Sequence, residues 1–107
     1  MNIKLEEVTR DRDNEEIFYN IINADNNDEV GILFTIQNHI AYEVYPKYRG
    51  QGIATDALKY ITSKLNKPTL EIQLNNVASK KVALKAGYSL IKTEGNFEIY
   101  EIDKKKK

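Results

Sequence analysis

The hydrophobic pattern of this chain changes period once, near residue 50. In the first half, apolar and polar residues alternate with a period of two, which predicts strands. A cluster of Asp and Asn side chains, which hydrogen-bond nearby backbone and tolerate left-handed geometry, predicts a turn. The predicted strands are residues 3–8, 16–24, 29–37 and 39–45, and the turn is residues 25–28. This half therefore predicts an antiparallel meander without a helix.

In the second half the period becomes about 3.6, which is typical of helices. One apolar stripe predicts a helix over residues 50–65, which Asn66 and Pro68 end, and Asn76 caps a second helix that Gly87 closes. Further strands are predicted at residues 69–74, 88–94 and 97–102, the last two joined by a hairpin at Gly95-Asn96. The predicted fold class is α+β, with a mostly antiparallel mixed sheet of about seven strands and two helices in the order ββββαβαββ.

Composition sets limits on the function. The 107 residues predict one domain over residues 1–103, followed by a lysine tail over 104–107. Sixteen basic and sixteen acidic residues leave no overall field for nucleic acid or an anionic membrane. The absence of cysteine excludes disulfides and thiolate metal sites, and no metal site is predicted. The longest apolar window, residues 31–36, is too short to span a bilayer, so a soluble cytoplasmic protein is expected.

The segment from Arg49 to Ala54 carries the strongest chemical signal. Its two glycines, Gly50 and Gly52, lie between a predicted strand and a predicted helix, so free backbone N–H groups converge at the positive helix end. The segment lacks the Gly-Lys-Ser/Thr ending of nucleotide P-loops and the three glycines of dinucleotide sites. Taken alone, it predicts either a phosphate site or simply a tight connection.

A second segment, residues 74–88, favours the phosphate site. Together, Arg49-x-x-Gly52-x-Ala54 and Asn76-x-x-Ser79-x-x-Val82-Ala83-x-Lys85-x-Gly87-Tyr88 resemble the GNAT superfamily of acetyl-CoA-dependent N-acetyltransferases. Within it, the second motif is similar to the branch that acetylates the N-terminal amines of ribosomal proteins. The resemblance covers about residues 31–102 and implies a three-layer, GNAT-like fold.

The resemblance also implies how acetyl-CoA, the cosubstrate, is bound. Backbone N–H groups of the glycine-rich loop would hold the pyrophosphate, and Arg49 would add charge-assisted bonds. Pantetheine would pair with the fourth strand, whose amide would also stabilise the oxyanion, and Asn76 would contact the pantetheine arm. The predicted acetyl-CoA-binding residues are Val44, Tyr45, Arg49, Gly50, Gln51, Gly52, Ile53, Ala54, Asn76 and Ser79.

Catalysis in this family asks for an acid that protonates the leaving thiolate and a base that deprotonates the amine. Ser79 matches the acid position of the ribosomal-protein branch, where many other members carry a Tyr at the place of Ala83; alternatively, Ser79 only satisfies local backbone. For the base, His39 and Glu98 match positions used by relatives. Glu43 is a third candidate, with an outward-facing strand carboxylate as the alternative reading.

The acceptor side departs from the family pattern. Only residues 9–15 join the first two strands, where relatives have two helices that wall the acceptor site. The sequence therefore predicts acetyl transfer by direct attack of a primary amine, on a protein or peptide, with an open acceptor site or one completed by a second subunit in a homodimer. Two other readings stay open: an inactive CoA-binding module, and an interaction domain whose seven Tyr residues form a partner surface.

Overall fold

The computed structural model describes residues 2–102, and its order of elements is the predicted one. Four strands come first, and then helices alternate with strands. The elements are β1 (Ile3–Asp11), β2 (Glu16–Asn23), β3 (Glu29–Ile36), β4 (His39–Val44), a 3₁₀ turn (Pro46–Tyr48), α1 (Ile53–Thr62), β5 (Thr69–Gln73), α2 (Val77–Lys85), β6 (Ser89–Glu94) and β7 (Phe97–Glu101). The predicted fold class, an α+β domain with seven strands and two helices, is confirmed.

All seven strands form one mixed sheet in the order β1-β2-β3-β4-β5-β7-β6. The first four strands make the predicted antiparallel meander, and β5, β7 and β6 pair antiparallel at the other side. The pair β4 and β5 is parallel, because the connection between them crosses over through α1. This single parallel pair divides the sheet into two antiparallel halves.

Both helices lie on the same face of the sheet and contact each other. The even-numbered residues of β4 point toward them, so Ile40 and Val44 join Leu33 of β3 in a core closed by Leu58 and Ile61 of α1. In the part of the chain that the structure describes, the opposite sheet face carries no helix. A short turn joins β1 to β2, where relatives were expected to have helices.

Three element boundaries differ from the predictions by more than one residue. α1 begins at Ile53 rather than at Gly50, because both loop glycines have positive φ, and it ends at Thr62 instead of continuing to Leu65. β1 continues to Asp11, since Thr9 to Asp11 pair with β2 after a bulge. The predicted lysine tail, with Asp103, lies outside the described residues. No helix within residues 2–102 is long and apolar enough to cross a membrane.

Candidate active site

The candidate site is the gap where β4 and β5 separate. The two strands are paired only at their beginnings, where His39 lies opposite Thr69 and the Thr69 N–H donates to the Asn38 carbonyl at 2.8 Å. Beyond that point no pairing joins them. The carboxyl ends of parallel strands lie at the same sheet edge, so the loops that follow β4 and β5 meet there. These loops carry the two motifs identified in the sequence.

Alternation along β4 decides which backbone groups face this gap. The Tyr45 N–H donates to the Val30 carbonyl at 2.9 Å, so Tyr45 belongs to the set of residues that bond to β3. In an antiparallel pair this set alternates with residues whose N–H and C=O groups point to the other side. Tyr42 and Val44 are therefore the residues that offer backbone groups to the gap. Of the two predicted pantetheine partners, Val44 faces the gap, whereas the amide of Tyr45 is already used.

The glycine-rich loop has the geometry expected of an anion site. Gly50 and Gly52 have φ values of 81° and 77°, and a Cβ at either position would meet no atom within 4 Å. Gly52 is the N-cap of α1 and offers no side chain there. Among the described residues, no hydrogen bond occupies the backbone N–H groups of residues 50–55. Backbone donors, the positive helix end and open space thus coincide.

Arg49 ties this loop to the end of β4. Its Nε donates to the Val44 carbonyl at 3.0 Å, and its terminal Nη2 lies 3.9 Å from the Glu43 carboxylate. The side chain remains 58% exposed, so this ion pair is open to solvent and weak. The guanidinium is therefore held at the mouth of the gap with donors left for a phosphate.

On the other side of the gap, Asn76 caps α2. Its Oδ1 accepts the Ser79 N–H at 3.1 Å, which confirms the predicted capping role and leaves the Nδ2 donors of the same side chain unengaged among the described residues. Since Asn76 satisfies this end of the helix, the Ser79 hydroxyl is not used as a cap. Burial raises the pKa of the Tyr42 phenol, and the Ser79 side chain beside that hydroxyl offsets part of the rise.

Glu98 is held by two partners on the helix side of β7. Its Oε1 accepts the Tyr100 hydroxyl at 2.7 Å and lies 3.3 Å from the Lys80 ammonium of α2. The bond from Tyr100, followed by the one from Lys80, lowers the pKa of Glu98. Burial and the Glu98 carboxylate raise the pKa of Tyr100 to about 12. A carboxylate with a lowered pKa and two donors is a weak general base.

The other two base candidates lie on the uncovered face of the sheet. His39 and Glu43 are odd-numbered residues of β4, exposed to solvent, whereas Tyr42 and Val44 point to the helices. His39 is five residues from Val44, which corresponds to about 17 Å along a strand. Glu43 is adjacent to Val44. The structure thus places Glu43 at the gap and His39 at the far end of β4.

A cleft of about 350 Å³ borders the candidate site. Its lining residues are Gln73, Leu74, Asn75 and Asn96, and the first three come directly before the Asn76 cap in the sequence. A larger hollow of about 670 Å³ lies at the opposite end of the molecule, between the turn joining β1 to β2 and the end of α1, and contains no predicted site residue. We do not assign this hollow a function on the basis of its size, because none of the motif residues line it.

Two residues of this region were not predicted from the sequence to have a role. Tyr42 places its hydroxyl beside Ser79, and its position between Ile40 and Val44 in a period of two already indicates an inward side chain. Gly31 faces Val44, and a Cβ there would lie 2.4 Å from the Glu43 carbonyl oxygen. A glycine inside a strand is the sequence signal of such a close approach.

Comparison with known proteins defines the class. Residues 4–88, more than half of the chain, match the Acetyltransferase (GNAT) family. The chain therefore belongs to the GNAT family of acetyltransferases, and its predicted assignment to that family is confirmed. None of the curated proteins matches the sequence.

Solved structures agree with this fold. The spermidine N-acetyltransferase of Vibrio cholerae in complex with CoA and spermine is 14% identical, with a TM-score of 0.68, over 84% of this chain and 65% of that one. The microcin self-immunity acetyltransferase MccE, in complex with acetyl-CoA and AMP, is 18% identical, with a TM-score of 0.72, over 84% and 62%. RimL, a ribosomal-protein α-N-acetyltransferase in complex with CoA, is 19% identical, with a TM-score of 0.71, over 80% and 60%.

At these identities the likeness shows the fold, and the chain spans 60 to 65% of the length of these three structures. All three were solved with CoA or acetyl-CoA, in agreement with the predicted cosubstrate.

Proposed function

We propose that this protein transfers the acetyl group of acetyl-CoA to a primary amine of a protein or peptide, by direct attack within a ternary complex. The observation that carries the proposal is the set of unoccupied N–H groups at residues 50–55, at the carboxyl edge of the gap between β4 and β5. Membership of the GNAT family supports acetyl transfer, and the amine acceptor is the part of the proposal that goes beyond it.

On the donor side, the loop from Gly50 to Ala54 binds the pyrophosphate of CoA, and the Arg49 guanidinium adds charge. Pantetheine lies in the gap as an additional strand. It pairs with the backbone groups of Tyr42 that β5 leaves free, the Val44 N–H faces the thioester carbonyl, and the Asn76 amide contacts the pantetheine arm. The Tyr45 N–H cannot pair with pantetheine, because it is bonded to the Val30 carbonyl. Any contact of Tyr45 with CoA is therefore made by its side chain.

In the reaction, the amine nitrogen forms a bond to the thioester carbonyl carbon as the bond from that carbon to sulfur breaks. The Val44 N–H stabilises the negative charge on the carbonyl oxygen. Ser79, in the first turn of α2, lies beside the sulfur and supplies a hydrogen bond or proton to it. Of the base candidates, Glu43 suits direct deprotonation best by position, whereas His39 is distant along the strand and Glu98 is engaged by Lys80.

The acceptor side is open because a turn of residues 12–15 replaces the expected helices between β1 and β2. A small amine would find little to enclose it, so an exposed amine at a chain terminus or lysine suits this geometry better. Two of the similar structures are named for amine acceptors, spermidine and a ribosomal protein, and both types carry primary or N-terminal amines. The second of them supports the proposed acceptor class.

The test combines binding with turnover. Millimolar CoA should raise the melting temperature, since a ligand in hundredfold excess over its Kd stabilises the folded state by about 2.7 kcal/mol. Gly52→Asp should abolish this shift, because its carboxylate would occupy the phosphate position. Acetyl-CoA with a panel of amines and N-terminal peptides should release free thiol.

A second candidate function is CoA binding without turnover, which the engaged Glu98 and the uncovered acceptor side favour. Stabilisation by CoA without thiol release for any acceptor would support that function. No stabilisation at millimolar CoA would contradict both functions and leave the interaction domain.

A further inference from the structure

The hydroxyl of Tyr42 is a buried polar group without a satisfying partner. It is fully buried and makes no hydrogen bond of ordinary geometry within the described residues, although the side chain of Ser79 is near enough to affect its pKa. Burial raises that pKa, so the phenol stays protonated and acts as a donor. An unsatisfied buried hydroxyl costs stability, and such a group in a native fold calls for an explanation.

The position of this hydroxyl suggests the explanation. Tyr42 lies two residues before Val44 on β4, so its side chain enters the helix layer directly beside the gap that the proposed function assigns to pantetheine. Ser79 approaches from the first turn of α2, and its own N–H is already taken by Asn76. The two hydroxyls therefore lie between the two elements that border the gap, and within residues 2–102 no other hydrogen bond is made to either of them.

We propose that Tyr42 is a positioning residue that donates a hydrogen bond to the Ser79 Oγ when acetyl-CoA is bound, so that the Ser79 proton is directed at the thioester sulfur. This inference rests on the proposed function. A serine hydroxyl rotates freely, and a donor aimed at its oxygen leaves its own hydrogen for another acceptor. Linked hydrogen bonds also strengthen one another in a low-dielectric site.

The proton and electron balance is that of acetyl transfer. The nitrogen lone pair of the amine forms the new bond to carbon, and the electron pair of the broken carbon–sulfur bond goes to sulfur. The amine loses one proton to the base, sulfur gains one from Ser79, and Ser79 recovers a proton from solvent, so Tyr42 and Ser79 end in their starting states. Tyr42 needs to supply only orientation.

The experiment is a double-mutant cycle of Tyr42→Phe and Ser79→Ala, with kcat for acetyl transfer and the Kd of CoA measured for each variant. We expect Tyr42→Phe to lower kcat about tenfold with CoA affinity within twofold, since a positioned acid or donor contributes at least this much. In the Ser79→Ala background, Tyr42→Phe should have no further effect, because residues that act as one unit are non-additive.

Stability supplies a second, independent readout. Without CoA, Tyr42→Phe should keep or raise the melting temperature, because it removes an unsatisfied polar group. The matched control is Tyr88→Phe: the Tyr88 hydroxyl is also buried but is bonded to Thr62 at 2.5 Å, so its removal should lower the melting temperature and leave kcat unchanged.

Two results would overturn the role of Tyr42 while leaving the proposed function intact. In the first, the wild-type protein binds CoA and acetylates amines, and the Tyr42→Phe variant has the same kcat. The other is equal losses in kcat from Tyr42→Phe in both backgrounds. If the wild-type protein neither binds CoA nor releases thiol, that result contradicts the proposed function itself, and the role of Tyr42 falls with it.

Discussion

At the scale of single residues, His39 and Glu43 share the uncovered face of β4 but differ in distance from the chemistry. A direct base must come within about 3 Å of the amine proton. His39, at the start of the strand, is about 17 Å from Val44 along the chain direction, whereas Glu43 is its neighbour. Both are exposed, so either can be replaced at little cost to the fold.

We therefore expect Glu43→Gln to lower kcat for acetyl transfer about 100-fold, and His39→Gln to leave the dependence of kcat/KM on pH unchanged. Profiles of rate against pH for the two variants and the wild-type protein measure this. A changed pH profile in His39→Gln, with the profile of Glu43→Gln unchanged, would make the histidine the base after all.

Glu98 matches a catalytic position, and its carboxylate is also bonded to two neighbours in the fold. Its pKa is lowered by the bonds from Tyr100 and Lys80, so the unfolded chain binds its proton more tightly than the folded one. The stability that this carboxylate adds is therefore present above its ordinary pKa of 4.5 and is lost as pH falls through the lowered pKa.

We expect Glu98→Gln to weaken the dependence of the melting temperature on pH below about pH 5, with the two proteins converging at low pH. The exposed Glu94, paired with Lys92 on the β6 edge, provides the control variant Glu94→Gln, which should leave that dependence nearly unchanged. A pH dependence identical to wild type in Glu98→Gln would contradict this account of Glu98.

At the scale of elements, the two strands that flank Val44 are held in different ways. On one side β5 leaves β4 after a single paired position, and on the other Gly31 of β3 allows a close approach that no other residue permits. Close packing of β3 against the end of β4 holds Val44 in register. The Val44 N–H proposed to stabilise the oxyanion is therefore held in position from the β3 side.

Gly31→Ala should therefore destabilise the protein by about 1–3 kcal/mol, because its Cβ overlaps the Glu43 carbonyl, and should weaken CoA binding as the end of β4 shifts. Thermal unfolding and CoA titration measure the two effects. Gly95→Ala is the control: φ at Gly95 is 59°, so the substitution is strained, but it lies in the β6–β7 turn and should leave CoA affinity unchanged. Unchanged CoA affinity in Gly31→Ala would contradict the link between Gly31 and Val44.

Element types were predictable from the sequence because hydrophobic period and turn residues agree along this chain. The Asn76 cap and the Gly87 end of α2 follow from local chemistry alone, and both are confirmed. The start of α1 was predicted three residues too early: the apolar stripe itself begins at Ile53, and the positive φ of Gly50 and Gly52 keeps the residues before it out of the helix. The local pattern indicates an inward side chain at Tyr42 and a close approach at Gly31, but the groups that these two residues meet come from elements far apart in sequence, which a local pattern cannot identify.

At the scale of the whole molecule, the helices cover one face of the sheet and leave the other open. Phe18 and Phe34, whose rings lie 5.4 Å apart, and the exposed Ile36 lie on the uncovered face with Glu43. The proposed donor groups, in contrast, are built from the loop and from α2. The molecule therefore has a structured donor side and an acceptor side that this chain does not enclose.

An unenclosed acceptor side makes a prediction about substrate size. Enzymes discriminate between acceptors through contacts that one acceptor makes and another loses, and an open side offers few of these. A reactive N-terminal peptide and the same peptide at the N-terminus of a folded protein should therefore give kcat/KM values within about threefold. Acetylation rates of the two, with an N-terminally blocked version of each as control, measure this. A preference of more than 100-fold for the free peptide would show that the acceptor must enter an enclosed site, and would point to a second subunit as the missing wall.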